Sequence, residues 1–207
     1  MQLDLIIAQF VVLVLSLSFH EAAHAWTANR LGDPTARMLG RLTLNPLAHV
    51  DWIGTVLFPL IAIYSGFPLI GWAKPVPVDP RNLRSPRRDF GIVALAGPVS
   101  NLILATAAAF VFGMLRISHV ANALPPIIME TAVLAVLLNV MLAIFNMIPV
   151  PPLDGGNVLM GIAPLRVAQV VNLIRPYGFI VLYGLMFSGA LQLILRPVRE
   201  FLLSFLL

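Results

Sequence analysis

Four stretches of this chain are long and apolar enough to fill the hydrocarbon core of a bilayer: Leu5 to Trp26, Phe90 to Leu115, Ile127 to Ile148 and the shorter Gly178 to Leu195. Lipid offers the backbone no water, so a spanning segment must satisfy its own N–H and C=O groups, as a helix or within a closed barrel. Length decides for helices. Leu5 to Trp26 makes about 33 Å of helix, whereas a spanning strand needs only about 9 to 11 residues. Hydrophobic residues are 59% of the 207 and charged residues only 11%. The expectation is therefore an all-α polytopic membrane protein, a single integral-membrane domain over residues 1–207 with no soluble domain of useful size.

The formal charge of +4 arises from 13 Lys+Arg against 9 Asp+Glu. These residues are spread over connecting loops rather than gathered into a basic stripe, which argues for membrane topology and against nucleic acid as a partner. Without cysteine there are no disulfides and no thiolate ligands, so any metal site must be built from His and carboxylate.

Residues Ile53 to Ile70 have spanning length but are interrupted by Pro59, Gly66 and Pro68. If this segment dips into the bilayer and returns, ten of the 13 basic residues share one face, leaving Arg116, Arg196 and Arg199 on the other. If it spans, the bias disappears. The positive-inside preference thus favours a re-entrant segment, an outside N-terminus and a cytoplasmic loop system from Arg30 to Asp89. Within that system, Met38 to Leu44 alternates apolar and polar residues, the pattern of a short strand or of an irregular loop. Trp72 to Val78 must be extended, because Pro75 and Pro77 each disfavour helix in the residue before them.

The polar exception in the first span is Ser18-Phe19-His20-Glu21-Ala22-Ala23-His24-Ala25-Trp26. Ionisable groups in hydrocarbon are costly and read as a functional site by default. His at i and i+4 lie one helical turn apart, so two imidazoles can reach one metal ion, with Glu21 beside them to act on a water. Chance and hydrogen-bonded core histidines are the bland alternatives. A signal peptide fails because Met1 to Asp4 carries no Lys or Arg. A catalytic zinc typically takes a third protein ligand. The best candidate is Asp154, in Asn146-Met147-Ile148-Pro149-Val150-Pro151-Pro152-Leu153-Asp154-Gly155-Gly156, where prolines end a helix and glycines permit a tight turn. The alternative there is a Pro/Gly loop with a turn-favouring Asp. With a re-entrant 53–70, the helix ends carrying His24 and Asp154 face the same side, as a shared metal needs.

Three motifs in order, His20 to His24, Ala96-Gly97-Pro98-Val99-Ser100-Asn101, and Asn146 to Gly156, resemble the site-2 protease family of intramembrane zinc metalloproteases. The resemblance implies one Zn²⁺ held by His20, His24 and Asp154, Glu21 as general base, and Asn146 near the substrate or developing oxyanion. It implies transmembrane proteins as substrates, with the lipid bilayer as surroundings; the topology above then puts the active site nearer the cytoplasmic side, with the cell membrane as the expected location. The chain carries no PDZ or CBS domain and looks like a minimal form with an apolar insertion at 53–70. A strand edge at Met38 to Leu44 would suit addition of an extended substrate. A metal-ion transporter or channel and a catalytically inactive scaffold are the rival classes. Gly97-Pro98 reads as close helix packing, Asn101 as a cross-helix hydrogen bond or an approach to the site, and Asn139 as structural glue. His49 reads as interfacial, and His119 falls on the opposite side. Phe201 to Leu207 reads as lying at the interface or against a partner.

Overall fold

The computed structural model describes residues 3–65, 72–117 and 124–207. Among the described residues the regular structure is helical, with no strand: α1 (Leu3–Leu31), α2 (Thr35–Met38), α3 (Phe58–Ser65), α4 (Pro86–Ile117), α5 (Pro126–Asn146), α6 (Asp154–Ile162), α7 (Leu165–Ile174), α8 (Gly178–Phe187) and α9 (Ala190–Leu206). By length and composition α1, α4 and α5 can each cross a membrane, and α7 with α8 makes a fourth such run, Leu165–Phe187. His119 lies outside the described residues.

Helix α1 runs past Trp26 because no breaker intervenes before Gly32, whose φ of 112° ends it. It packs antiparallel to α4: His24 meets Val93, while Ser16, about two turns back along α1, meets Asn101. Helices α4 and α5 are antiparallel in turn, since Asn101 pairs with Asn139 and Ala105 packs on Val136. The end of α1 bearing His24, the first half of α4 and the end of α5 that leads to Asp154 therefore share one side of the bundle.

The fourth expected span, Gly178 to Leu195, is split. Ser188 closes α8, and Gly189 at φ 74° turns the chain into α9; hydropathy carries no trace of a left-handed glycine. Helix α9 then lies along α5, with Leu195 against Ile144 and Ile148. Leu202, Leu203 and Leu206 pack towards Ala105, Val136 and Val140. The C-terminal segment is thus partly core, with Phe201 and Phe205 on its exposed side.

Met38 to Leu44 forms no strand. Met38 closes α2, Gly40 takes φ 68°, and bends follow. The alternation does not sort the residues into an apolar buried face and a polar exposed one. Met38 and Leu44 are exposed and Arg41 is buried, because the Arg41 guanidinium donates to the carbonyls of Lys74 (2.5 Å) and Pro75 (3.3 Å). No strand edge is present there to receive a substrate.

Within 53–70, residues 66–70 lie outside the described residues. The two ends of the segment are nevertheless fixed. The Trp72 N–H donates to Gly54 O at 3.1 Å, and the Thr55 hydroxyl donates to Trp72 O at 2.8 Å. A Cβ on Gly54 would overlap the Trp72 indole. Chain that leaves and returns at one place cannot set its ends on opposite faces of a bilayer, in keeping with the re-entrant expectation. From Trp72 to Asp79 the backbone forms neither helix nor strand and runs along α1. Ala73 packs on Leu13 and Leu17, Val76 reaches Glu21, and Asp79 reaches Asp33 just beyond the helix end.

Candidate metal centre

His20 and His24 stack one turn apart on the buried face of α1, their rings edge to face with centroids 4.6 Å apart. A different group on α4 holds each ring. The Nδ1 of His20 lies 2.6 Å from Asn101 Oδ1, and the Nδ1 of His24 lies 2.7 Å from Val93 O. Both partners accept, so the network assigns the proton of each neutral imidazole to Nδ1 and leaves a lone pair on Nε2.

The orientation of Asn101 is itself determined. It is fully buried, and its Nδ2 donates to Asn139 Oδ1 at 2.9 Å. Asn139 Nδ2 in turn donates to Ala135 O at 2.9 Å. A chain of amides across α5 and α4 thus ends on His20. The sequence expectations of a cross-helix hydrogen bond for Asn101 and of structural glue for Asn139 meet in this one bond. An apolar groove of about 550 Å³ between α1, α4 and α5, lined by Leu15, Phe19, Leu104, Ala108 and Thr131, reaches Ser16 and Asn139 at the edge of this network.

Gly97 faces the two imidazoles. A Cβ at this position would stand 2.5 Å from His20 Cε1 and Nε2 and from His24 Nε2. Its sequence reading as close packing is correct, and what it packs against is the histidine pair itself. Asp154 arrives from α6. The 147–153 turn, with a cis bond between Pro151 and Pro152, precedes it. Gly155 and Gly156 lie so close to the backbone of Met147 to Pro151 that neither has room for a side chain. Asp154 Oδ2 sits 3.0 Å from His20 Nε2 and 3.4 Å from His24 Nε2. Despite this proximity the oxygen is buried and makes no directed hydrogen bond. Two imidazole lone pairs and a carboxylate oxygen directed at one point repel one another unless a cation lies between them, and N₂O is a donor set suited to zinc.

Glu21 shares the cluster. One of its carboxylate oxygens lies within 4.8 Å of ligating nitrogens of both histidines, and Oε2 accepts the Val76 N–H at 2.8 Å. Asn146 stands at the end of α5 with its amide donated to Leu142 O at 3.0 Å, so the arrangement joins it to none of the other four. His49 is buried with Nε2 against Thr43 O at 2.8 Å, a loop contact apart from the cluster. Beyond the helix end, Asp33 accepts from Thr35, from Asn82 Nδ2 at 3.0 Å and from the Asp79 N–H at 2.8 Å. Burial alone would raise the pKa of Asp33; the hydrogen bonds outweigh it and hold the carboxyl below the usual range.

The profile of peptidase family M50 matches residues 111–185, a stretch that includes Asn146 to Gly156 but not His20 to His24. Relatives named "Putative zinc metalloprotease" cover more of the chain. YwhC of Bacillus subtilis is 37% identical over 194 residues, 91% of this chain and 84% of that one. Rip2 of Mycolicibacterium smegmatis is 28% identical over 86% of this chain and 66% of its own length. Rip2 of Mycobacterium tuberculosis is 32% identical over 69% of this chain and 52% of its own length. No solved structure matches. The similarity to YwhC over nearly the whole chain, with the M50 match over its second half, places this chain in peptidase family M50, the site-2 protease family.

Proposed function

We propose that the chain is a zinc-dependent endopeptidase that hydrolyses peptide bonds in or near transmembrane segments of membrane proteins. The observation that carries this reading is the convergence of His20 Nε2, His24 Nε2 and the buried Asp154 Oδ2, with the second carboxylate of Glu21 beside them, on helices of membrane-spanning length. His20, His24 and Asp154 would hold the ion. Zinc, when bound, supplies a Lewis acid that makes a water nucleophilic near neutral pH and polarises a carbonyl. Glu21 takes the proton from the attacking water and delivers it to the departing amine. Asn146, at the mouth of the 147–153 turn, turns its amide from Leu142 O towards the developing oxyanion. The apolar groove beside Asn139 supports approach of a substrate helix from the lipid, and the site opens towards the cytoplasmic face of the cell membrane.

The test compares purified wild type with Glu21→Gln and Asp154→Ala, reading bound zinc and cleavage of a panel of single-span substrates. Wild type binds one zinc and cleaves. Glu21→Gln keeps zinc and loses about 10²-fold or more in rate, and Asp154→Ala loses both. Normal cleavage by Glu21→Gln would overturn the base assignment, and zinc movement across vesicles without cleavage would replace a protease by a transporter.

A further inference from the structure

The segment from Trp72 to Asp79 carries neither helix nor strand, and its Ala73 packs on Leu13 and Leu17 in the middle of α1, a helix long and apolar enough to cross a membrane. Such backbone persists only if its polar groups are met by protein. The sequence reduces the demand: in Pro75-Val76-Pro77 both prolines lack an N–H, leaving one donor in three residues. That donor, Val76 N–H, goes to Glu21 Oε2 at 2.8 Å.

Both ends of this strap are tied down by buried groups of the 33–49 loop. On the Val76 approach, the buried Arg41 guanidinium donates to Lys74 O and Pro75 O, and Lys74 N–H donates to His49 O at 2.8 Å. On the far side, Asp33, with no exposed surface, accepts from the Asp79 N–H and from Asn82. Holding the carbonyls on either side of the Lys74–Pro75 bond sets where the next N–H points, and that N–H meets a carboxylate. A backbone donor on one oxygen orients the carboxylate and leaves the other oxygen for a proton.

We propose that the strap Trp72 to Asp79 is the positioning element for Glu21, acting through the Val76 N–H, with Arg41 and Asp33 as the positioning residues that hold the strap. This rests on the reading of Glu21 as general base. Neither anchor touches the reacting atoms. Their role is to keep one Glu21 oxygen in place while the other exchanges a proton.

The experiment uses Val76→Pro, which deletes the N–H in a run already extended by prolines. Its control is Val78→Pro, which deletes an N–H without a partner among the described residues. Arg41→Gln, with Arg41→Lys as the conservative rescue, provides a second route that leaves the strap sequence intact. Zinc content, kcat and KM are read for each. In addition, ¹³C-glutamate labelling gives a carboxylate infrared band for Glu21 by difference from Glu21→Gln, since Glu130 and Glu200 are the only other glutamates.

Val76→Pro and Arg41→Gln should keep zinc, lose about tenfold or more in kcat with KM within about twofold, and shift the Glu21 band. Val78→Pro should match wild type, and Arg41→Lys should recover part of the rate. An unshifted Glu21 band in zinc-replete Val76→Pro overturns the proposal, as does a rate equal to or above wild type. The infrared readout does not depend on turnover. Cleavage that survives Glu21→Gln would sink the protease reading, whereas an unshifted band alongside normal Glu21 dependence would sink only the strap.

Discussion

Asn101 Oδ1 lies 2.6 Å from His20 Nδ1, and Asn139 fixes which way the Asn101 amide faces. An imidazole held at Nδ1 by an acceptor presents Nε2 to a metal as a ready lone pair. Replacing Asn101 by Ala should therefore weaken zinc binding by about 10- to 100-fold, measured by competition with a chromogenic chelator. Asn139→Ala should give a smaller loss of the same kind, because it frees Asn101 to flip without removing it. Equal zinc affinity in wild type and Asn101→Ala would show that His20 needs no such partner.

Gly97→Ala puts a methyl carbon 2.5 Å from atoms of both imidazoles. Because Gly97 sits within α4, the helix backbone cannot yield without disturbing the Val93 and Asn101 contacts. The variant should bind little zinc and melt earlier in detergent. Gly113→Ala, on the same helix with nothing within 4 Å of the added carbon, should bind zinc as wild type does and melt no earlier.

Asp33 makes stability depend on acid pH. Its folded pKa is lowered, so its contribution is complete above the unfolded carboxylate value and is lost as pH falls through the folded one. The Tm advantage of wild type over Asp33→Asn should be greatest near neutrality and shrink through the acid range below pH of about 4. A constant difference at every pH would mean that the ionised form of Asp33 is not what holds the strap.

The pinned ends of the 53–70 segment predict that residues before and after it are reached from the same side of the membrane. The chain has no cysteine, so single substitutions at the exposed Arg37 and Arg84 can be tested with an impermeant maleimide on sealed vesicles. Both should label from one face. Labelling from opposite faces would require the segment to span.

The sequence made the His20, Glu21 and His24 cluster legible because helical spacing alone brings those groups to one turn, and it marked Asp154 because Pro and Gly announce broken backbone. It did not reveal the contacts that give the cluster its geometry. The amide chain from Ala135 through Asn139 and Asn101 to His20 joins three helices, and no local pattern reports which asparagines face each other. The bond from Val76 to Glu21 spans 55 positions and uses a backbone N–H, to which side-chain identity gives no clue. The inward course of Arg41 was not legible, because the carbonyls of Lys74 and Pro75 that hold it lie 33 and 34 positions away. Gly189 passed unnoticed within an apolar run, although its positive φ divides one expected span into two helices.

The contact between Gly54 and Trp72 makes everything between them a closed excursion. The closure entropy of such an excursion changes slowly with its length, by about 0.6 kcal/mol per doubling for flexible chain. Chain can therefore be added or removed between these two residues while the backbone that follows Trp72 returns to the same place over Glu21. The interval from Gly54 to Trp72 is therefore where a change of length should disturb the Val76 contact to Glu21 least.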